Sequence, residues 1–353
     1  MYHLVENLLK KMRFMPISMR KSALLKGILL ALIFSANSAK AQNQALEELG
    51  NLITDAIFLT GNYVSPAADA SVYQAASSWV VTPKKKALWD FEMGLHFNTF
   101  FTPKSDRQFA ISNSDFKFFS IQNATSGVTP TALGNRNYVT LVGTLDNNPV
   151  SLRTPEGINR ETVMYPFLQG SLGLMLGTEL IGRYSPRIYL KNVDFQVYGV
   201  GLKHSLSQYL KGLENRNLHF STALIYSNED MTVGFLDVQT SYGNLGLNSL
   251  NSKIDTWQLQ FNGSKEFNRF ELSAGFIMNR SNFVYKVNGP KGSIEEIIPL
   301  QDVLNKRLES IYTVKNNYIG EVAGRYKFYK LFLQTSVAFG KFVNTNIGIQ
   351  YEF

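Results

Sequence analysis

Two hydrophobic periods divide this chain. Over residues 44–59, Leu46, Leu49, Ile53 and Ile57 recur at helical spacing, and Gly61 ends the run. A short amphipathic helix is predicted there, followed by a linker around Ser65, Pro66 and Ala67. From Trp89 onward the period falls to two. Trp89, Phe91, Met93, Leu95 and Phe97 share one face, and Asp90, Glu92, Gly94, His96 and Asn98 the other. The same alternation runs through Leu172–Tyr184, Leu218–Tyr226, Trp257–Phe261, Phe270–Met278, Tyr318–Tyr326 and Leu331–Phe339. The last residues repeat it, with Ile347, Ile349, Tyr351 and the terminal Phe353 on one face.

Each run is about 9–11 residues or slightly more, the length at which a tilted strand crosses a bilayer. Alternation alone also suits a soluble sandwich, whose apolar face turns inward. The polar face here, rich in Gly, Ser, Asn and Gln, suits a barrel lumen. The spacing of the runs agrees, because short links around Asn268 and at residues 328–330 alternate with long ones at 228–253 and 286–317. Bacterial barrels have short periplasmic turns and longer outer loops. The expected fold is therefore all-β, an antiparallel transmembrane β-barrel of about 12 strands, with 14 as the alternative, and a short N-terminal helical plug. About four of those strands are assigned to residues 87–169, where the pattern is weak.

A leader precedes the helix. Arg20 and Lys21 are followed by an apolar stretch, interrupted by Lys26, and then by Ala39-Lys40-Ala41. This is the layout of a secretory signal peptide cut before Gln42, with Met19 as the natural start and residues 1–18 an upstream extension. The stretch is too short for a membrane helix, which needs about 20 apolar residues. The domain expectation is a signal peptide over 1–41, a helical plug and linker over 42–86, and a barrel over 87–353. Charge follows the leader. The formal charge of the 353 residues is +8, but residues after 41 hold 28 basic against 26 acidic side chains, a net of +2. A phosphate-gripping nucleic-acid surface is not indicated. The absence of cysteine excludes disulfides, thiolate metal sites and a thiol nucleophile.

Two stretches carry a family resemblance: Gly177-Thr178-Glu179-Leu180-Ile181-Gly182-Arg183-Tyr184-Ser185-Pro186, and residues 198–210 from Tyr198-Gly199-Val200-Gly201 to Gln208-Tyr209-Leu210. Together with the leading helix and the Tyr63, Pro66 and Trp79 positions, they resemble an outer-membrane barrel family of unassigned function. That family is itself similar to the long-chain fatty-acid transport porins. The resemblance implies a barrel with an N-terminal plug and a hydrophobic solute, and it supplies no catalytic residue.

Little in the residues points to catalysis. No Gly-x-Ser-x-Gly elbow occurs, and His3, His96, His204 and His219 lack the short spacing of metal ligands. No cofactor is expected, and no enzyme activity. The informative residues are inward charges: Asp90, Glu92, Glu179, Glu271 and Glu321 against Arg183, Lys203 and Arg325. They read as cancelling lumen pairs or as a polar constriction in which Arg183 or Arg325 holds a carboxylate. The candidate lumen residues are thus Arg183, Glu179, Lys203, Arg325, Glu321, His96, Asp90 and Glu92. Ser293 and Glu296 form a capping box ahead of an apolar stripe from Ile294 to Leu308, with Pro299 restarting the helix as a lid or a rim element.

The functional expectation is passive uptake of a small hydrophobic solute across the outer membrane of a Gram-negative bacterium. The alternatives are a barrel enzyme acting on lipid and a structural or adhesive barrel without transport. The expected partners are the lipid bilayer, the solute, and the barrel assembly machinery reading the C-terminal Phe353. No nucleic acid is expected.

Overall fold

The computed structural model describes residues 17–145, 148–190, 193–234, 239–240, 243–244, 248–291 and 299–353. The chain opens with one long helix, α1 (Ile17–Ala76). After it come β1 (Phe91–Phe101) and an insertion of short strands, β2 (Gln108–Ser112), β3 (Ser120–Ile121), β4 (Ser126–Pro130), β5 (Thr140–Leu145) and β6 (Asn148–Arg153). Next are β7 (Thr162–Gly173), β8 (Thr178–Leu190), β9 (Val193–Ser205), α2 (Lys211–Glu214) and β10 (Leu218–Gly234). The remainder is β11 (Gln239–Thr240), β12 (Gly243–Asn244), β13 (Ser249–Phe267), β14 (Phe270–Asn288), α3 (Leu300–Leu308), β15 (Thr313–Phe328), β16 (Leu331–Phe339) and β17 (Val343–Glu352).

Ten strands close into one antiparallel barrel, in the order β1, β17, β16, β15, β14, β13, β10, β9, β8, β7. This corrects the expected 12 or 14. Residues 102–161, between β1 and β7, supply no barrel strand. Their strands are only 2–6 residues long, too short to span the wall, and pair with one another in two small sheets. The alternation from Leu172 to Tyr184 is likewise not one strand. The chain turns between β7 and β8, where Leu176 and Gly177 have φ of 58° and 69°.

Every strand connection falls at one of two ends. At the short-turn end lie the links β7–β8, β9–β10, β13–β14 and β15–β16, with the start of β1 and the C-terminus. The β13–β14 link is two residues, and Asn268 takes the left-handed conformation it tolerates better than most side chains. At the other, long-loop end lie the insertion, the 235–248 link and the link that carries α3, together with the short β8–β9 and β16–β17 links.

The wall has an apolar outer band. Leu95, Leu224, Leu259, Val322, Leu333 and Ile347 face outward and are exposed. Aromatic rows frame it. Phe91, Phe220, Phe267, Phe270, Phe328 and Phe353 mark the short-turn side, and Tyr184, Tyr198, Tyr226, Trp257 and Tyr318 the other. On β15, Tyr318 and Phe328 are ten residues apart, about 25 Å along the barrel axis at the usual strand rise and tilt. Beyond the tyrosine–tryptophan row the polarity of the two faces swaps. Asp194, Gln196, Asp230, Asn251, Lys253 and Asn282 now point out, while Phe195, Met231, Val233, Leu250, Ile254, Phe283 and Val287 point in and are buried. The strands therefore carry a polar-lined lumen at one level and an apolar core at the next.

Helix α1 fills that core. It was expected to stop at Gly61, with a linker at Pro66, but it continues to Ala76. The reason is packing. Val64, Ala67, Ala68, Ala70, Val72, Ala75 and Ala76 are buried against Phe100, Tyr165, Phe195, Ile254, Phe283 and Phe342 of the wall. Upstream, Leu52 and Leu59 pack on Ile111, Phe116, Phe119 and Leu141 of the insertion. Residues 44–66 thus cap the long-loop mouth, and the lumen itself is filled by residues 67–86. Among the described residues no helix is long and apolar enough to cross a membrane. The Ser293 and Glu296 capping box lies outside the described residues. Its downstream half is α3, which begins after Pro299 and buries Leu300, Leu304 and Leu308 in the same core as α1.

Candidate functional site: the lumen and its plug

A helix ends with four backbone carbonyls that lack intrahelical partners. In α1 the carbonyls of Tyr73, Gln74, Ala75 and Ala76 all meet barrel or plug side chains. Asn344 Nδ2 donates to Tyr73 (2.8 Å), Asn98 Nδ2 and the Tyr165 hydroxyl donate to Gln74 (2.8 and 3.2 Å), and Gln260 Nε2 donates to Ala76 (3.3 Å). Ala75 accepts from Arg183 Nη1 (3.0 Å) and Trp79 Nε1 (2.7 Å). Ser78 just beyond adopts φ 62°, the left-handed turn that commonly terminates helices.

Arg183 is therefore a helix cap. Its Nε and Nη2 also donate to Gln169 Oε1 at 3.0 and 2.8 Å. The guanidinium lies between the rings of Trp79 and Phe167, 4.2 and 4.1 Å from their centroids. A cation at a helix C-terminus is favoured by the helix dipole, and stacking adds a cation–π contribution. His96 stacks on the far side of Phe167 at 4.9 Å and pairs through Nδ1 with Asn346 Oδ1 at 3.1 Å. Gly348 makes this possible, since a Cβ there would sit 2.3 Å from the His96 ring.

Below the helix end, residues 77–86 run on through the lumen. The Ser78 amide donates to Glu321 Oε2 at 2.6 Å, and the hydroxyls of Ser78 and Ser336 meet at 2.7 Å. Thr82 Oγ1 donates to Glu271 at 2.7 Å. Near the short-turn mouth the charges form one network. Arg325 pairs with Glu92 at 2.9 Å, Lys86 reaches Glu92 at 3.0 Å and Glu179 at 3.6 Å, and Lys203 contacts Glu179. Lys203 Nζ also donates to the Thr82 carbonyl (2.7 Å) and the Lys84 carbonyl (3.1 Å).

Seven of the eight candidates from the sequence thus line the lumen, but in two groups. Arg183, His96 and Glu321 surround the end of α1, and Glu92, Glu179, Lys203 and Arg325 join the network below. Asp90 is different. It lies at the rim before β1, half-buried, and its carboxylate caps the Ala87 amide at 3.1 Å. Lys86 was missed, because a Lys84–Lys86 run reads as a solvated turn. Glu229 was missed too. It is buried between Ser227 and Thr256, 2.8 and 3.4 Å from their hydroxyls. Its strand changes face polarity at Tyr226, so the simple alternation stops short of it. Among the described residues no group of His, Asp and Glu could hold a metal ion.

At the long-loop end α1 is held by polar clamps. The Asp55 carboxylate accepts the backbone amides of Lys117, Phe118 and Phe119 at 2.8–3.1 Å. Asp69 pairs with Lys315 and, at 3.0 Å, with Lys341. Burial pulls the Lys341 ammonium down, but its bonds to Asp69 and Asp106 outweigh that and hold it above its ordinary value. Between these clamps lies an apolar cavity of about 120 Å3, lined by Ile57, Tyr63, Phe109, Leu152, Leu250 and Leu304 among others. A smaller cavity of about 40 Å3 lies deeper, against Tyr165, Ile188, Val193 and Phe195. It faces the weakest seam of the wall. The β7–β8 ladder extends only from Gly173–Glu179 to Leu168–Tyr184, six pairs against nineteen for β13–β14. Pro166 in β7 and Pro186 in β8 flank the point where it stops, and a proline has no amide to donate.

Several solved structures show a remote likeness. The attachment invasion locus protein Ail of Yersinia pestis is 7% identical, with 76% of this chain and 100% of that chain covered, at a TM-score of 0.26. Neisserial surface protein A is 10% identical, with 75% and 97% covered, at 0.25. The KdgM porin is 11% identical, with 54% and 92% covered, at 0.25. These values are too low to bear on what this chain does. Comparison with curated proteins finds no match. A family model does match, over residues 19–353, and the chain belongs to that family, the family of unknown function DUF6588.

Proposed function

We propose that this chain is an outer-membrane β-barrel that takes up a small hydrophobic solute. The observation that carries the reading is the apolar cavity of about 120 Å3 at the long-loop mouth, set above an outer wall whose apolar band is framed by aromatic rows. A band of that height with aromatic girdles matches a bilayer, and the polarity swap beyond the tyrosine–tryptophan row marks where the strands leave it. Apolar cavities of this size stay dry and take benzene-sized molecules. The solute class is therefore a single aromatic ring or a short alkyl group. The cavity behind Pro166 and Pro186 lies beyond Tyr184 and offers a way in at the outer rim, above the apolar band. The likeness to fatty-acid transport porins, the lipid-bilayer contact and the reading of Phe353 by the barrel assembly machinery belong to the same proposal. Phe353 supports the last, since its amide pairs with the Phe91 carbonyl at 2.9 Å and its ring packs on Phe91 at the closing seam.

The test is binding of toluene to the purified barrel in detergent, read as a saturable rise in the thermal midpoint of folded, heat-modifiable protein. The variant Thr60→Trp, at a half-buried lining position, fills the cavity. Wild type is expected to bind and Thr60→Trp not to. Equal responses would remove the cavity from the account. A second reading, a closed structural barrel without transport, is favoured by one observation: the plug satisfies all four terminal carbonyls of α1 within the lumen. Flux of a hydrophobic probe into proteoliposomes separates the two, since only the first reading expects wild type to exceed empty vesicles.

A further inference from the structure

The order of contacts along α1 and the strand that follows it has a direction. Asp55 and Tyr63 bind the insertion at the long-loop end, Tyr63 through its hydroxyl to the Glu156 carbonyl at 2.8 Å. Tyr73 to Ala76 meet Asn344, Asn98, Arg183 and Gln260 inside the wall. Ser78 meets Glu321, and Thr82 meets Glu271, the second residue of β14. Lys84 pairs with Glu266 at 2.8 Å, next to the two-residue turn. The Trp89 amide then bonds the Gly173 carbonyl at 2.9 Å, at the short-turn rim, just before β1 begins. The chain thus passes through its own barrel from the long-loop mouth to the short-turn mouth.

We propose that the part of α1 between residue 42, where the leader is expected to be cut, and Asp55 is displayed on the cell exterior, the chain having threaded the lumen, while the C-terminus stays in the periplasm. The inference rests on the outer-membrane reading above, which puts short turns in the periplasm and long loops outside. Given that orientation, the threading leaves no choice for residues upstream of Asp55. They stand on the side opposite the start of β1. A return through the lumen is blocked, because residues 67–86 already fill it and Asp55 and Asp69 clamp the helix at the outer mouth. An amphipathic helix that only sealed the periplasmic end would sit at the other mouth and make none of these contacts.

The chain has no cysteine, so single substitutions report position without background. Glu47→Cys lies on exposed α1, Ser114→Cys on the exposed insertion, and Tyr329→Cys in a short turn where the side chain is 93% exposed. Each is treated in cells with a membrane-impermeant biotin maleimide, before and after permeabilising the outer membrane. Only variants with wild-type heat-modifiable mobility are scored. The expected result is labelling of Glu47→Cys and Ser114→Cys in intact cells to the same extent, with Tyr329→Cys labelled only after permeabilisation. If Ser114→Cys is labelled and Glu47→Cys is silent, the threading is wrong although the barrel is oriented as stated. If Tyr329→Cys alone is labelled in intact cells, the orientation is inverted and surface display fails. If the protein does not fractionate with the outer membrane, the underlying functional reading fails first. A double variant, Ser78→Cys with Ser336→Cys, tests threading without any orientation premise. Those hydroxyls are 2.7 Å apart, so the folded barrel is expected to crosslink on oxidation. A folded barrel that does not crosslink overturns the proposal whatever the labelling shows.

Discussion

At the scale of single residues, the lumen charges hold the plug in place. Lys203 is 1% exposed and serves Glu179 and two plug carbonyls at once. Removing one partner of a buried pair leaves an uncompensated charge and costs about 3–5 kcal/mol. Arg187, by contrast, bridges Asp194 and Asp230 on the outside of the wall and is a third exposed, where such pairs are worth about 0–1 kcal/mol. We therefore expect Lys203→Met to lower the unfolding midpoint, read by heat-modifiable mobility, far more than Arg187→Met. Equal effects would mean that the inner network is not the anchor described. Of the inward charges expected from the sequence, Glu92, Glu179, Glu271, Glu321, Arg183, Lys203 and Arg325 face the lumen, because their strands alternate cleanly, whereas Asp90 sits at the rim. The sequence left open whether they bind a ligand or one another. The deciding partners, the carbonyls of Ala75, Thr82 and Lys84, belong to a segment whose path no local pattern reveals.

Elements show the same division between what local pattern carries and what packing decides. Trp257, Leu259 and Phe261 mark β13 as a strand with an apolar outer face, and its exposed face is the one expected. The extent of α1 was not legible. Gly61 and Pro66 are helix-ending signals, but tertiary burial of Val64, Ala67, Ala68 and Ala70 overrides them. Strand number failed for a related reason. Residues 102–161, where the alternation is weak, were expected to supply wall strands, yet their short strands form a cap on α1. These corrections change what deletion should do. Removing residues 44–59 strips the outer cap and is expected to leave planar-bilayer conductance unchanged. Removing residues 44–86 empties the lumen and is expected to open a conducting pore. If the shorter deletion conducts as well as the longer, the plug lies where the sequence suggested, not where its contacts put it.

For the whole molecule, the same ten strands have two kinds of outer face and two linings inside. In the apolar band the outside is hydrophobic and the lumen polar. Beyond Tyr184, Tyr198, Tyr226 and Trp257 the relation reverses. The period stays at two while the phase changes, so a count of alternation from sequence sees Leu218 to Tyr226 but not Glu229, Met231 and Val233. The central claim is that lipid covers the outer wall and the chain's own N-terminal segment fills the lumen. Three tryptophans report on it directly. Trp257 points outward at the long-loop edge of the band, 56% exposed, Trp89 is 68% exposed in the turn before β1 at the short-turn rim, and Trp79 is fully buried in the lumen. The most direct measurement is fluorescence of the three single-tryptophan variants, the others replaced by Phe, in bilayers of brominated phosphatidylcholine. The account predicts that Trp257 and Trp89 are quenched relative to unbrominated lipid and that Trp79 is not. Quenching of Trp79 with Trp257 unaffected would contradict it.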